Sequence, residues 1–253
     1  MSITQRFYDS MASHYDKLFL DWHTTTREQA VILDKLFRDH GFDKSARILD
    51  CACGIGTQAI GVAGLGYCVT GSDISDAELA EAAARAAENN FSIRLVHADF
   101  RALSDTFEEQ FDIVICMDNA LPHMLTKEDL VAAVKSIAGQ TVPGGIFVAS
   151  IRDYDAILMD KPPYSPPYIH NNERGQRVSF QIWSWKEDNY KLIQYIIDDG
   201  ESLDIHKFEC EYRATRREEL TALLRMNGFE EVSWKFLEET DFYQPIVVAR
   251  KSL

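Results

Sequence analysis

No stretch of the chain approaches the roughly 20 consecutive apolar residues that span a bilayer, so a membrane protein is not expected. The amino terminus, Met1-Ser2-Ile3-Thr4-Gln5-Arg6, lacks the basic stretch and apolar core of a secretory signal. Cysteine is scarce and odd in number, five in 253 residues, which argues against a disulfide framework and for a reducing, cytoplasmic setting. Cys51 and Cys53 stand one residue apart, and no Cys/His pair elsewhere has zinc-ligand spacing, so no metal is expected. Basic residues are also in deficit, 26 against 40 acidic ones, and the net charge of −14 repels phosphate backbones and anionic lipid. Internal repeats and low-complexity tracts are missing as well.

What is present is a chain long enough for one large domain, or one with a small insertion, and 46% hydrophobic. Strand-like and helix-like segments alternate through residue 151, the pattern of βαβ units on a parallel sheet. A helix is expected after Thr25, with Glu28 completing a capping box, Ala30, Leu33, Leu36 and Phe37 forming its apolar face, and Gly41 stopping it. Strands are expected at 47–50, 68–73, 93–97, 111–116 and 146–150, with helices opening near Thr57, Ser75 and Thr126. Beyond residue 158 the texture changes. Lys161 to Pro167 holds four of the seven prolines, and three antiparallel strands are expected over 177–185, 190–197 and 203–212. A further capping box at Thr215–Glu218 then resumes the α/β pattern, with strands at 232–236 and 246–249. The expected organisation is a helical leader or lid (1–45), a core (46–158), an antiparallel β insertion (159–214) and the remainder of the core (215–253). The insertion would cover the substrate side of the sheet or form a subunit contact, which leaves a homo-oligomer open. Its aromatics, Phe180, Trp183, Trp185, Tyr190 and Tyr195, line a pocket or fill a small core; none is assigned a ligand.

Between the first strand and the next helix lies Asp50-Cys51-Ala52-Cys53-Gly54-Ile55-Gly56. Glycines there allow close approach of a ligand to the backbone, and the helix amino terminus adds partial positive charge. Gly54-Ile55-Gly56-Thr57-Gln58-Ala59 satisfies the dinucleotide pattern G-x-G-x-x-G/A literally. Asp50, Ala52, Gly54 and Gly56 equally fit an S-adenosylmethionine turn. Three features favour the second. Asp50 would repel a pyrophosphate but welcome an ammonium. The turn begins about fifty residues in. Asp73 ends the second strand, where it can accept from ribose hydroxyls, and Asp99 follows the third, where it can accept from an adenine amine beside Phe100. Taken singly, Asp73 and Asp99 also read as caps of helices or turns.

Ile48 to Gly56, Asp73, His97-Ala98-Asp99-Phe100 and Pro143-Gly144-Gly145 resemble the ordered motifs of class I S-adenosylmethionine-dependent methyltransferases, over roughly residues 45–151. The resemblance implies an α/β, doubly wound, mostly parallel seven-stranded Rossmann-like sheet with an antiparallel last strand, to which this chain adds its small antiparallel β insertion. It implies S-adenosylmethionine as cofactor, with Ile74 and Met117 joining Asp50, Ala52, Gly54, Gly56, Asp73, Asp99 and Phe100 around it. Asp118-Asn119-Ala120-Leu121-Pro122-His123 and Ile151-Arg152-Asp153-Tyr154-Asp155-Ala156-Ile157-Leu158 resemble the glycine and sarcosine N-methyltransferase group more narrowly. Two positions depart from that group: Asp153 stands where it often has Asn, and Asp118 replaces a glycine. The likeness implies Arg152 and Tyr154 at the acceptor, Asn119 positioning the amine or the methionine carboxylate, His123 near the transferring methyl, Tyr15 of the leader over the cofactor, and Arg27 near the methionine carboxylate. Arg152 also reads as an ion pair with Asp153 or Asp155, Arg27 as a solvated helix charge, and His123 as the partner of a helix start.

The expected activity is methyl transfer from S-adenosylmethionine to a small molecule, foremost the amine of an amino acid such as glycine or sarcosine. Another small O- or N-acceptor, an NAD-dependent oxidoreductase and a non-catalytic S-adenosylmethionine binder are the alternatives. Nucleic acid is disfavoured by charge. It is also disfavoured by the position of Pro162-Pro163-Tyr164, after the fifth strand rather than the fourth.

Overall fold

The computed structural model describes residues 2–172 and 175–253. Two segments lead the fold: helix α1 (Ile3–Met11), continued by a 3-10 stretch (Ala12–Leu18), and helix α2 (Trp22–Asp39). The core follows as β1 (Arg47–Asp50), α3 (Thr57–Gly64), β2 (Cys68–Asp73), α4 (Asp76–Glu88), β3 (Arg94–His97), β4 (Phe111–Cys116), α5 (Lys127–Gln140), β5 (Thr141–Ser150) and α6 (Tyr154–Asp160). An insertion of four strands comes next: β6 (Tyr168–Asn172), β7 (Gly175–Lys186), β8 (Asn189–Asp199) and β9 (Leu203–Arg213). Helix α7 (Arg217–Met226), β10 (Phe229–Lys235), α8 (Leu237–Thr240) and β11 (Ile246–Lys251) complete the chain.

The main sheet has seven strands in the order β10-β11-β5-β4-β1-β2-β3, with β11 antiparallel to both its neighbours and the remaining pairs parallel. Its two faces can be read residue by residue. Leu49, Val114, Cys116, Phe147 and Ala149 pack into one core, and Ile48, Ile113, Ile115, Ile146 and Val148 into the other. That is the period-two alternation of strands buried on both sides. Chain order reverses between β1 and β4, and the carboxyl ends of those two strands open the crevice in which such sheets bind ligands.

The first core does not stop at the sheet. Phe7 and Met11 of α1, and Trp183, Tyr190, Leu192, Ile196, Phe208, Cys210 and Tyr212 of the insertion, belong to it. The leader is fastened on both sides. Asp9 accepts from Ser75 Oγ at 2.6 Å, Lys17 pairs with Asp198 at 2.7 Å, and the His14 and His206 rings lie 4.0 Å apart. The leader thus bridges the amino end of α4 and the insertion, above the crevice.

Three expectations are corrected. Helix α2 begins at Trp22, because Asp21 accepts from the His23 and Thr24 amides; Thr25 and Glu28 therefore lie inside it and form no capping box. A separate helix, α1, precedes it within the expected helical leader. Helix α7 is preceded by Arg216 without a side-chain cap, and the buried Thr215 hydroxyl finds no partner. The insertion carries a fourth strand, β6, paired antiparallel with β7 just after the proline-rich loop. Among the described residues no helix is long and apolar enough to cross a membrane, and no three His, Cys, Asp or Glu side chains cluster as a metal site.

Candidate active site

The turn after β1 is built from backbone that only glycine adopts cheaply. Gly54 has φ +50° and Gly56 φ +91°. A Cβ on Gly54 would stand 2.6 Å from Glu78 Oε2, and one on Gly56 2.7 Å from Ile60 Cδ1. The turn is ringed by carboxylates. Asp50 is wholly buried; Oδ1 takes a long 3.4 Å contact from the Ala52 amide and Oδ2 has no partner. Burial pushes its carboxyl up to about 8, helped by the carboxylates of Asp73 and Asp118. Asp73 accepts from the Gly54 and Ser75 amides, both at 2.9 Å, and burial still raises it. Glu78 is buried with Oε1 unpartnered, raised well above its usual range by burial and then by Asp73 and Asp9.

Three buried acids with no paired cation among the described residues suit a ligand that brings an ammonium and hydroxyl donors. They would repel a pyrophosphate. The aminoacyl ammonium and ribose diol of S-adenosylmethionine meet that demand. A cavity of about 40 Å³ touches this turn, with Ala52, Gly54, Asp73 and Met117 on its wall.

A larger cavity of about 590 Å³ adjoins it, and Tyr8, Tyr15 and Asp118 line both. Its floor comes from the ends of β4 and β5. Asp118 and Asn119 both adopt left-handed backbone, φ +53° and +68°, which costs of order 1–3 kcal/mol each away from glycine. The Asp118 amide donates to Ser150 Oγ at 2.8 Å and the Asn119 amide to the Ser150 carbonyl at 3.0 Å, so β5 holds the bend. Asn119 Oδ1 accepts from the Arg152 amide at 3.0 Å and the Tyr154 hydroxyl at 3.1 Å; its Nδ2 is buried without a partner.

Arg152 lies in an aromatic cage. It donates to Tyr190 Oη at 2.7 Å and Gln181 Oε1 at 3.1 Å, and its guanidinium sits over the Trp183 and Tyr212 rings at 5.1 and 5.3 Å. Burial opposes its charge, but the oxygens of Tyr190, Tyr154 and Tyr212 outweigh that and keep it protonated. No carboxylate pairs with it among the described residues. Asp153 and Asp155, the acids nearest in sequence, are both taken by Arg217. An enclosed arginine without a counter-ion has the charge and the donor geometry to receive a carboxylate.

His123 stands one layer back. Its Nδ1 donates to the Glu211 carbonyl at 3.3 Å, leaving Nε2 to accept from Tyr8 Oη at 2.7 Å. Burial lowers it to about 3, with nearby Arg152 adding to the effect, so the ring is neutral at ordinary pH and positions Tyr8. It does not line either cavity.

Of the residues expected from sequence, Tyr15, Ala52, Gly54, Asp73, Met117, Asn119 and Arg152 line one cavity or the other. Asp50 and Gly56 shape the turn, half-buried Ile74 follows Asp73, and Tyr154 supports Asn119 from beneath. Arg27, Asp99 and Phe100 line neither cavity. Arg27 is exposed on the outer face of α2 and donates to Thr24, because Thr26, Gln29 and Ala30 take the inner face. Asp99 is engaged by Arg101 at 2.6 Å, and Phe100 packs on the apolar core. Thr25 and Gln29, rather than Arg27, reach the large cavity from α2. Tyr8, Glu78, Asp118, Gln181, Trp183, Tyr212 and Tyr243 line the cavities without having been assigned. For Tyr8, Trp183 and Tyr212 the signal in the sequence was the density of aromatics in the leader and the insertion, and for Asp118 its departure from the glycine of the group it resembles.

Comparison with known proteins agrees with this arrangement. The family model of a methyltransferase domain matches residues 48–145. The glycine/sarcosine N-methyltransferase of Aphanothece halophytica is 25% identical over 97% of this chain and 89% of its own length. Among solved structures, an S-adenosylmethionine-dependent methyltransferase from Clostridium acetobutylicum superposes with a TM-score of 0.76 at 18% identity, over 97% of this chain and 99% of its own. The amino pentose methyltransferase CalS10 from Micromonospora echinaspora, bound to S-adenosylmethionine, gives 0.76 at 20%, over 90% and 92%. Residues 48–145 thus match a methyltransferase domain, and the fold of the whole chain is that of S-adenosylmethionine-dependent methyltransferases.

Proposed function

We propose that the acceptor is the amine of an amino acid or a closely related amine bearing a carboxylate, such as glycine or sarcosine. The observation that carries this reading is Arg152, a caged cation with no carboxylate partner at the wall of the large cavity. Its unused N–H donors match a carboxylate fork, and Trp183 and Tyr212 keep water from competing. The likeness to glycine/sarcosine N-methyltransferase over nearly the whole chain supports the same class of acceptor.

When bound, S-adenosylmethionine supplies an electrophilic methyl on a sulfonium. Asp50, Asp73 and Glu78 would hold its ammonium and ribose. In-line displacement demands alignment above all, so positioning supplies most of the acceleration. Arg152 fixes one end of the acceptor, Asn119 Nδ2 offers a free donor beside it, and Tyr8 and Tyr15 stand at the junction of the two cavities. The leader over the crevice acts as the lid that keeps the site dry.

A second reading has its own support. The large cavity has room for more than glycine, and the amino pentose enzyme shares the fold, so an amino sugar is the rival acceptor. Product-detected methyl transfer across glycine, sarcosine, dimethylglycine and an amino pentose separates the two. Turnover of the amino pentose with none of the amino acids would reject the first.

A further inference from the structure

The large cavity has a negative pole as well as a positive one. Asp118 lines it from the end of β4, and its carboxylate is held by neutral donors only: Gln58 Nε2 to Oδ2 and Tyr243 Oη to Oδ1, each at 2.8 Å. Gln58 is itself braced against Gln29 Oε1 at 2.5 Å. Among the described residues no cation pairs with Asp118. An ionised carboxylate accepts at about four positions, so two are left for a ligand. Arg152 lines the same cavity, and Tyr15 and Tyr243 each lie within the field of both the Asp118 carboxylate and the Arg152 guanidinium. The strained left-handed backbone at Asp118 and Asn119 is the cost of aiming the carboxylate there.

We propose that Asp118 is a catalytic residue that receives the ammonium of the acceptor and takes its proton, so that the site selects zwitterions with Arg152 at the carboxylate and Asp118 at the amine. This deepens the amino-acid reading above and rests on it. The step balances as follows. One N–H bond of the ammonium breaks and its proton goes to an Asp118 oxygen. The freed nitrogen lone pair forms the new N–C bond to the methyl carbon. The electron pair of the breaking C–S bond leaves with the sulfur, which becomes a neutral thioether. Burial raises the Asp118 carboxyl above the usual range, against the pull of Gln58 and Tyr243, which suits a proton acceptor. The titratable groups that interact with it are Asp50 from β1, Tyr15 from the leader and Tyr243 from the loop before β11, and Arg152 after β5 lines the same cavity. Asp50, at the foot of the glycine turn, is the carboxylate placed for the cofactor's own ammonium.

The test is Asp118→Asn in the full chain, whose amide can keep the Gln58 and Tyr243 contacts. For sarcosine, kcat/KM is expected to fall by about 100-fold or more, the scale of a lost general base, and the acidic limb of its pH profile to disappear. The calorimetric Kd for S-adenosylhomocysteine is expected to stay within about threefold, a change well under one pK unit of binding energy. Asp118→Glu, which keeps the charge, should recover part of the rate. An unchanged kcat/KM and pH profile in Asp118→Asn overturns the proposal. So does a loss confined to S-adenosylhomocysteine affinity, which would give Asp118 to the cofactor. If the wild-type chain methylates no amine at all, the amino-acid reading falls and takes this inference with it.

Discussion

Replacing Arg152 by Ala separates its role as an anion site from its role in packing. The packing loss is bounded by what its neighbours keep. Tyr190 Oη retains Tyr154 Oη at 2.9 Å, and Gln181 retains Gln194 Oε1 at 2.9 Å and Trp183 Nε1 at 3.0 Å. No buried polar partner is orphaned, so the fold should survive with a modest drop in Tm. Binding loss is larger. Truncating one partner of a desolvated, hydrogen-bonded charge pair costs about 2–5 kcal/mol. Taking roughly 2–4 kcal/mol, sarcosine loses about 30- to 700-fold in kcat/KM. Sarcosine methyl ester, which lacks the carboxylate charge, should lose far less. The assay is steady-state methyl transfer for both acceptors with both enzymes, a four-rate cycle. The wild type should prefer the acid by at least about 30-fold and Arg152→Ala should erase that preference. Equal losses for acid and ester would show that Arg152 only packs, and the argument from its missing counter-ion would be wrong.

Three further outcomes are expected. Asp73→Ala should weaken S-adenosylhomocysteine by at least about tenfold in calorimetry, since the anchor of the Gly54 amide and, on the proposed binding mode, a ribose acceptor are lost. Asp50 is held near 8 when folded, well above an unfolded aspartate near 3.9, so its protonated form favours the folded state. That contribution is complete below about pH 4 and is lost as pH rises toward 8, at about 1.4 kcal/mol per pH unit as an upper scale. In urea titrations of the ligand-free protein, Asp50→Asn should gain stability relative to wild type across that window; a difference independent of pH would contradict the assignment. Tyr8→Phe leaves the buried Nε2 of His123 without its donor and should cost about 1–3 kcal/mol by thermal or urea unfolding, with the leader loosening first in hydrogen exchange.

The legible parts of this molecule are those governed by neighbours in sequence. Strands 47–50, 68–73 and 111–116 coincide residue for residue with the ranges expected from the sequence, and each ends in or beside an acid or a turn. The glycine turn was readable because a tight bend there has few chemical solutions. Asp21 as the α2 cap lay hidden among three threonines that are equally good caps. The fourth inserted strand lay hidden because proline-rich flanks normally argue against pairing. The site was least legible where distant segments meet. Tyr8 and His123 are 115 residues apart, and Arg217 reaches back 64 residues to Asp153. That second contact decides the meaning of Arg152, since it removes the acids beside it, and no local pattern announces it. Arg27 failed for a related reason. Once α2 starts at Trp22, its phase turns residue 27 outward and 25 and 29 inward.

The most direct test of the account is a competition in one vessel. Purified chain receives S-adenosylmethionine carrying a deuterated methyl, with equimolar sarcosine, sarcosine methyl ester and an amino pentose, and the label is read by mass spectrometry. The account predicts that labelled dimethylglycine dominates the products. Label in the amino pentose or the ester, with none in dimethylglycine, would contradict it.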